Sequence, residues 1–129
     1  MQLELIMYTI RKLVEGKAGV TFEATYPPKD SSSFSNANGS DYHKFIIYTQ
    51  RITGCSIHGQ SCTLYLFYRN KRTDNGGSPV FSSCEFGMFS GKQFVSLFKH
   101  HIEQADGTVL TEAQFAQTVA DDIIKILNV

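Results

Sequence analysis

The residues best suited to chemistry in this chain are Cys55, His58 and Cys62, close together in sequence, and Cys84 further on. Thiolates and imidazoles are the ligands zinc takes, and four of them can close a tetrahedral site. The spacing C-x2-H-x3-C nevertheless lacks the paired C-x2-C knuckles of common zinc modules. Cys62 opens an apolar run, and Cys84 falls in line with Phe86 and Met88. A buried free cysteine behaves mainly as a small hydrophobe. The reading is therefore three ordinary thiols and a loop histidine, with no metal and no cofactor expected. The same residues, or His43, could serve a small metal- or thiol-dependent enzyme. That enzyme would need a thiolate-stabilising environment and an orienting third group, and no stretch of sequence specifies either.

Other constellations are weaker still. Residues 87–93, GMFSGKQ, are one residue short of G-x4-G-K, and Gln93 stands where a magnesium-holding Ser or Thr belongs. His100 and His101 are read as lying late in a helix, where adjacent side chains diverge and cations suit the helix dipole. Arg69, Lys71 and Arg72 form the densest basic cluster, with Tyr65 and Tyr68 nearby and Asp74 as an offsetting charge. They could meet phosphates and bases. However, 12 basic and 12 acidic residues leave the chain with a formal net charge of zero, which removes the basic footprint that nucleic-acid binding usually shows. Asp121 and Asp122, near the end of the last helix, oppose its dipole at a small cost.

These residues have to be positioned by a scaffold. Three runs rich in Val, Ile, Thr, Tyr and Phe lie between Tyr42 and Phe89, separated by Gly-rich polar segments, and such residues suit a pleated, half-buried surface. Val20, Phe22, Ala24 and Tyr26 alternate with Thr21, Glu23 and Thr25, which adds a fourth strand ended by Pro27-Pro28. Residues 27–41 read as a long polar, flexible loop with Phe34 as its one apolar residue. Residues 69–79 read as a hairpin connection turning at Asn75-Gly76. In the last run, Val80, Ser82, Cys84, Phe86 and Met88 are assigned to one face, and Phe81, Ser83, Glu85 and Phe89 to the other.

Helices flank the sheet in this reading. Leu3, Ile6, Ile10, Leu13 and Val14 mark an amphipathic helix over residues 2–15, stopped by Gly16. Its polar face is too poor in Lys and Arg for a membrane-surface helix. Ser90-Gly91-Lys92-Gln93 and Thr111-Glu112-Ala113-Gln114 both fit capping boxes, with Phe89/Phe94 and Leu110/Phe115 as staple pairs. They predict two C-terminal helices, the first carrying Phe94, Leu97, Phe98, His101 and Ile102, with a turn at Asp106-Gly107 between them. The expected fold is thus α+β: an N-terminal helix, a four-stranded, mainly antiparallel sheet, and two C-terminal helices packed on it, in one domain spanning 1–129.

Function is constrained mostly by exclusion. Three cysteines do not suggest a disulfide framework, the N-terminus lacks a signal-peptide pattern, and no apolar run reaches the roughly 18 residues of a membrane span. A cytoplasmic location is expected, with no membrane partner and nucleic acid disfavoured. The expected role is non-enzymatic protein binding. The favoured type is a small immunity or antitoxin protein that neutralises a bacterial toxin by direct contact. A secretion or assembly chaperone is the first alternative, and the metal- or thiol-dependent enzyme the second. Loops on a rigid scaffold carry recognition, so the expected interface is the 27–41 loop with the 69–77 hairpin: Phe34, Tyr42, Arg69, Lys71, Arg72 and Asp74.

Overall fold

The computed structural model describes residues 3–23, 26–34, 42–71 and 80–127, with the side chains of 26–34 and 42–44 outside that description. Helix α1 (Leu3–Ala18) leads into β1 (Thr21–Phe22), β2 (Tyr26–Phe34), β3 (Tyr42–Ile57), β4 (Gln60–Lys71), β5 (Val80–Ser90) and β6 (Gln93–His101), and helix α2 (Glu112–Ile126) closes the chain. All strand pairings are antiparallel, in the order β1-β3-β4-β5-β6. β1 pairs with the far part of β3 and β2 with its near part. They lie end to end on one edge, so the sheet has five strand positions.

The α+β class and the antiparallel sheet match the sequence reading; several details do not. α1 runs through Gly16 and ends two residues later, with Gly19 beyond it at φ 66°. A left-handed residue just past the last turn is the usual stop, and Gly19 supplies it. The expected 27–41 loop is strand as far as Phe34. Its backbone pairs from Lys29 to Phe34 with Ile47 to Tyr42, and the register shifts between Tyr26 and Lys29. Pro27 and Pro28 sit in that shift, where a missing N–H costs no ladder bond.

The larger correction concerns β6, which takes the place of the first of the two expected C-terminal helices. Ser90 and Gln93 are opposed strand residues, and Gly91 has φ 63° while Lys92 does not share a positive φ. This is a two-residue hairpin turn of the kind that places Gly first, where a capping box was expected. The Asp106-Gly107 turn is present, with Gly107 at φ 85°, but it joins β6 to α2. The capping box at the start of α2 is real in both halves: Thr111 Oγ1 accepts from the Gln114 N–H at 3.1 Å, and the Thr111 N–H donates to Gln114 Oε1 at 3.0 Å.

Both helices lie on one side of the sheet and pack against each other through Ile6, Ile10 and Val14 of α1 and Phe115, Val119 and Ile123 of α2. Beneath them Ile52, Leu64, Leu66, Tyr68 and Phe86 are fully buried, each contributing about 1.5–3 kcal/mol through removal from water. Phe81 joins this layer and meets the Phe115 ring at 5.2 Å, contrary to the expected alternation. The cause is a bulge: Arg69 faces Ser83 while Asn70 faces Phe81, so Ser82 is an extra residue that turns Phe81 inward.

Candidate functional site

The other side of the sheet is covered by neither helix, and its residues are those that alternate with the core. On β4, Leu64, Leu66 and Tyr68 point to the helices, so Tyr65, Phe67 and Arg69 point away. Register carries this face across the sheet: Phe67 opposes Glu85, Glu85 opposes Lys99, and Phe89 opposes Phe94. Four rings gather at the end near the Ser90–Gln93 turn. Tyr65 and Phe67 are nearly parallel at 6.2 Å, and Phe89 stands edge-on to Tyr65 at 5.0 Å. Phe94 is edge-on to Phe67 at 4.9 Å and to Phe89 at 5.2 Å. Such edge-to-face pairs add about 0.5–1.5 kcal/mol beyond area burial. Phe89 remains 45% exposed.

Two backbone features allow this cluster. The register shifts between Phe86 and Gly87, so Phe86 opposes Phe98 while Gly87 opposes Ser96 and Leu97 is extra. Gly87 then lies under the Phe94 ring: a Cβ there would come within 2.7 Å of Phe94 Cζ and 2.1 Å of the Val95 carbonyl oxygen. Glycine is required at this close approach. Beside the rings, Arg69 Nη1 donates to Glu85 Oε1 at 3.1 Å. Burial pushes the Glu85 carboxyl up, but hydrogen bonds from Ser96 and Arg69 and the charges of Arg69 and Lys99 outweigh it, holding it below the usual glutamate range. With Lys99 opposite Glu85, the rim of the aromatic patch is net basic.

The sequence-nominated interface residues divide between places. Phe34 and Tyr42 are brought together as opposed residues at the ends of β2 and β3. Lys71 ends β4 exposed at the same end of the sheet, opposite Phe45 and Val80. There it borders a cleft of about 750 Å³ with Phe81, His101 and Glu103. Arg69 stands on the helix-free face, while Arg72 and Asp74 lie outside the described residues. Tyr65 and Tyr68, read as neighbours of the basic cluster, are on opposite faces. Tyr68 is wholly buried, its hydroxyl donating to Gln50 Oε1 at 2.5 Å. The sequence does not reveal the aromatic patch, because Phe94 carries helix signals; the alternation of Tyr65, Phe67 and Arg69 is the signal it offers.

The candidate chemical residues are also separated. His58 forms a two-residue turn with Gly59, both at positive φ. Cys55 and Cys62 oppose each other at the base of that turn, and Cys84 is two strands from Cys55, opposite Tyr68 and His100. Among the described residues, no group of three or more His, Cys, Asp or Glu side chains could hold a metal ion. His100 Nε2 meets Asp122 Oδ2 at 2.6 Å, and Cys84 is its strand neighbour, which invites comparison with a nucleophile–His–Asp triad. Complete burial pushes the Cys84 thiol far above the usual thiol range, so no thiolate is at hand for such chemistry. The His100–Asp122 contact ties β6 to α2 and gives Asp122 a partner near the unfavourable end of its helix.

No helix among the described residues is long and apolar enough to cross a membrane. Compared with known proteins, the chain matches no family model, no curated protein and no solved structure.

Proposed function

We propose that this chain is a non-enzymatic protein-binding domain that engages its partner through the helix-free face of the sheet. The observation that carries this reading is the cluster of Tyr65, Phe67, Phe89 and Phe94, held by mutual ring contacts on strands and left without a covering helix. Aromatic anchors at the centre of a patch with a charged rim are the usual anatomy of an interface. Arg69 and Lys99 against Glu85 favour a partner with an apolar centre and an acidic rim. Within this class we favour a small inhibitor of the immunity or antitoxin type, acting on a toxin by direct contact.

A second reading rests on α1, whose Tyr8 is 58% exposed, with Leu5 on the same exposed side. An apolar patch there would suit a secretion or assembly chaperone. Substitution separates the two. The tagged chain captures its partner, and the purified pair is then titrated with Phe89→Asp and Tyr8→Asp variants, each checked for an unchanged circular dichroism spectrum. Loss of affinity of at least tenfold with Phe89→Asp and none with Tyr8→Asp supports the sheet face. The reverse pattern moves the interface to α1 and overturns it.

A further inference from the structure

We propose that Cys55 and Cys62 are a redox-modifiable pair that closes into a reversible intramolecular disulfide across the β3–β4 hairpin. The two residues directly oppose each other in the antiparallel ladder, and both thiols are free. Opposed residues on antiparallel strands have Cα atoms about 4.5–5.5 Å apart, inside the roughly 4.4–6.8 Å that a disulfide spans. Their side chains also share a face.

This opposition is made by the local fold. The two-residue turn at His58-Gly59 pairs Ile57 with Gln60, and counting back from it sets Cys55 against Cys62. Beyond the pair the register slips by one residue, so that Ile52 faces Leu64. Had that outer register continued to the turn, Cys55 would face Ser61. The slip includes Gly54 at φ 78°. A spacing of seven in sequence did not reveal the pair, because register is a property of the turn and the bulge together.

The two thiols differ in access. Cys55 is 2% exposed, whereas Cys62 is half-buried. Burial, and then the neighbouring Cys62, push the Cys55 thiol up to about 11; burial raises that of Cys62 as well. Each must ionise to react, so oxidation is slow near neutrality and accelerates as pH rises. The co-reactant is a small-molecule disulfide, RSSR. The Cys62 thiolate attacks one of its sulfurs, forming Cys62–S–S–R and expelling RS⁻, which takes up the proton that Cys62 lost. The Cys55 thiol then turns away from the Ile52 carbonyl to which it donates at 3.5 Å. Its thiolate attacks Cys62 Sγ, forming the internal bond and expelling the second RS⁻, which takes the Cys55 proton. Two thiols are oxidised and one RSSR is reduced to two RSH.

The test uses the full native chain incubated with oxidised glutathione at mildly alkaline pH, followed by unfolding, alkylation and peptide mapping. The expected product is a monomer lighter by two hydrogens before alkylation, with the Cys55 and Cys62 peptides joined and Cys84 alkylated in the map; dithiothreitol added before alkylation restores the mass and separates the two peptides. Cys55→Ser should halt at a Cys62–glutathione adduct, and Cys62→Ser should give no adduct at Cys55. Circular dichroism of both variants separates these outcomes from misfolding. A wild-type chain that stops at the Cys62 adduct, links to a second chain, or keeps three free thiols overturns the proposal.

Discussion

The two faces of the sheet are built from alternate residues of the same strands, yet they are stabilised in different ways. On the helix side Leu64, Leu66, Phe86 and Cys84 are removed from water altogether, and the polar Tyr68 hydroxyl is tolerated there because Gln50 Oε1 accepts its hydrogen bond. On the other side neither α1 nor α2 covers the sheet, and the rings of Tyr65, Phe67, Phe89 and Phe94 shelter one another while Arg69 and Glu85 neutralise each other's charge. The first arrangement holds the molecule together. The second leaves apolar surface half in water at a cost in free energy, which is what an interaction surface requires.

Truncating one ring on each side measures the contrast. Phe86→Ala leaves a cavity beneath the helices and should lower the unfolding free energy by about 3–5 kcal/mol. Phe67→Ala, on the open face, should cost on the order of 1 kcal/mol because its ring is only half removed from water. Urea unfolding of the two variants against wild type checks both values. Equal losses would mean that the helix-free face is as much a core as the other, and the comparison would fail.

Gly87→Ala tests whether the aromatic patch depends on the bulge. The added methyl would meet the Val95 carbonyl oxygen, a backbone atom that cannot move without the strand. We expect a loss of about 1–3 kcal/mol, typical of overpacking, together with altered near-ultraviolet dichroism as Phe94 is displaced. Stability and dichroism both like wild type would show that β6 has slack at this point.

What the sequence made legible follows from how local each signal is. The α2 cap needs only Thr111 and Gln114, four residues from end to end, and both of its hydrogen bonds form as read. α1 is legible from its stripe, but Gly16 does not end it, because a glycine inside a helix costs only roughly 1 kcal/mol relative to alanine. β6 was misread because its bulge imitates a helix. The extra Leu97 puts Phe94 on the open face and Phe98 on the core face, so apolar residues spaced by three and four arise without helical periodicity. The Ser90–Gln93 turn carries the same residue types as a capping box. β2 is illegible for the opposite reason: its Ser-rich strand has no apolar alternation of its own and is specified by pairing with the edge of β3, the strand that follows it. Of the nominated site, Arg69 was placed on the proposed surface, whereas the ring cluster required strand register that only the bulges define.

The smallest effects expected are electrostatic, and they too distinguish the faces. On the helix side Glu15 Oε2 accepts from the Phe22 N–H at 2.9 Å, fastening the end of α1 to β1. That backbone hydrogen bond, opposed by some desolvation and aided by Arg11, holds its carboxyl below the ordinary value of 4.5. On the open face, Glu85 is held low chiefly by Ser96, Arg69 and Lys99 once burial has been overcome. A carboxylate depressed in the folded state stabilises the fold above its unfolded pKa, and that contribution disappears as pH falls through the lower folded value. Wild-type unfolding free energy should therefore decline as pH drops below 4.5, and Glu15→Gln and Glu85→Gln should each flatten the decline. Salt then tells them apart. The charges around Glu85 are partly exposed and are screened within about 10 Å at 0.1 M ionic strength, so raising salt should shrink the difference that Glu85→Gln makes. The Glu15 contribution, carried mainly by one hydrogen bond to backbone, should change little. If both respond alike to salt, Glu15 is held by Arg11 rather than by Phe22, and α1 is fastened to the sheet edge by packing alone.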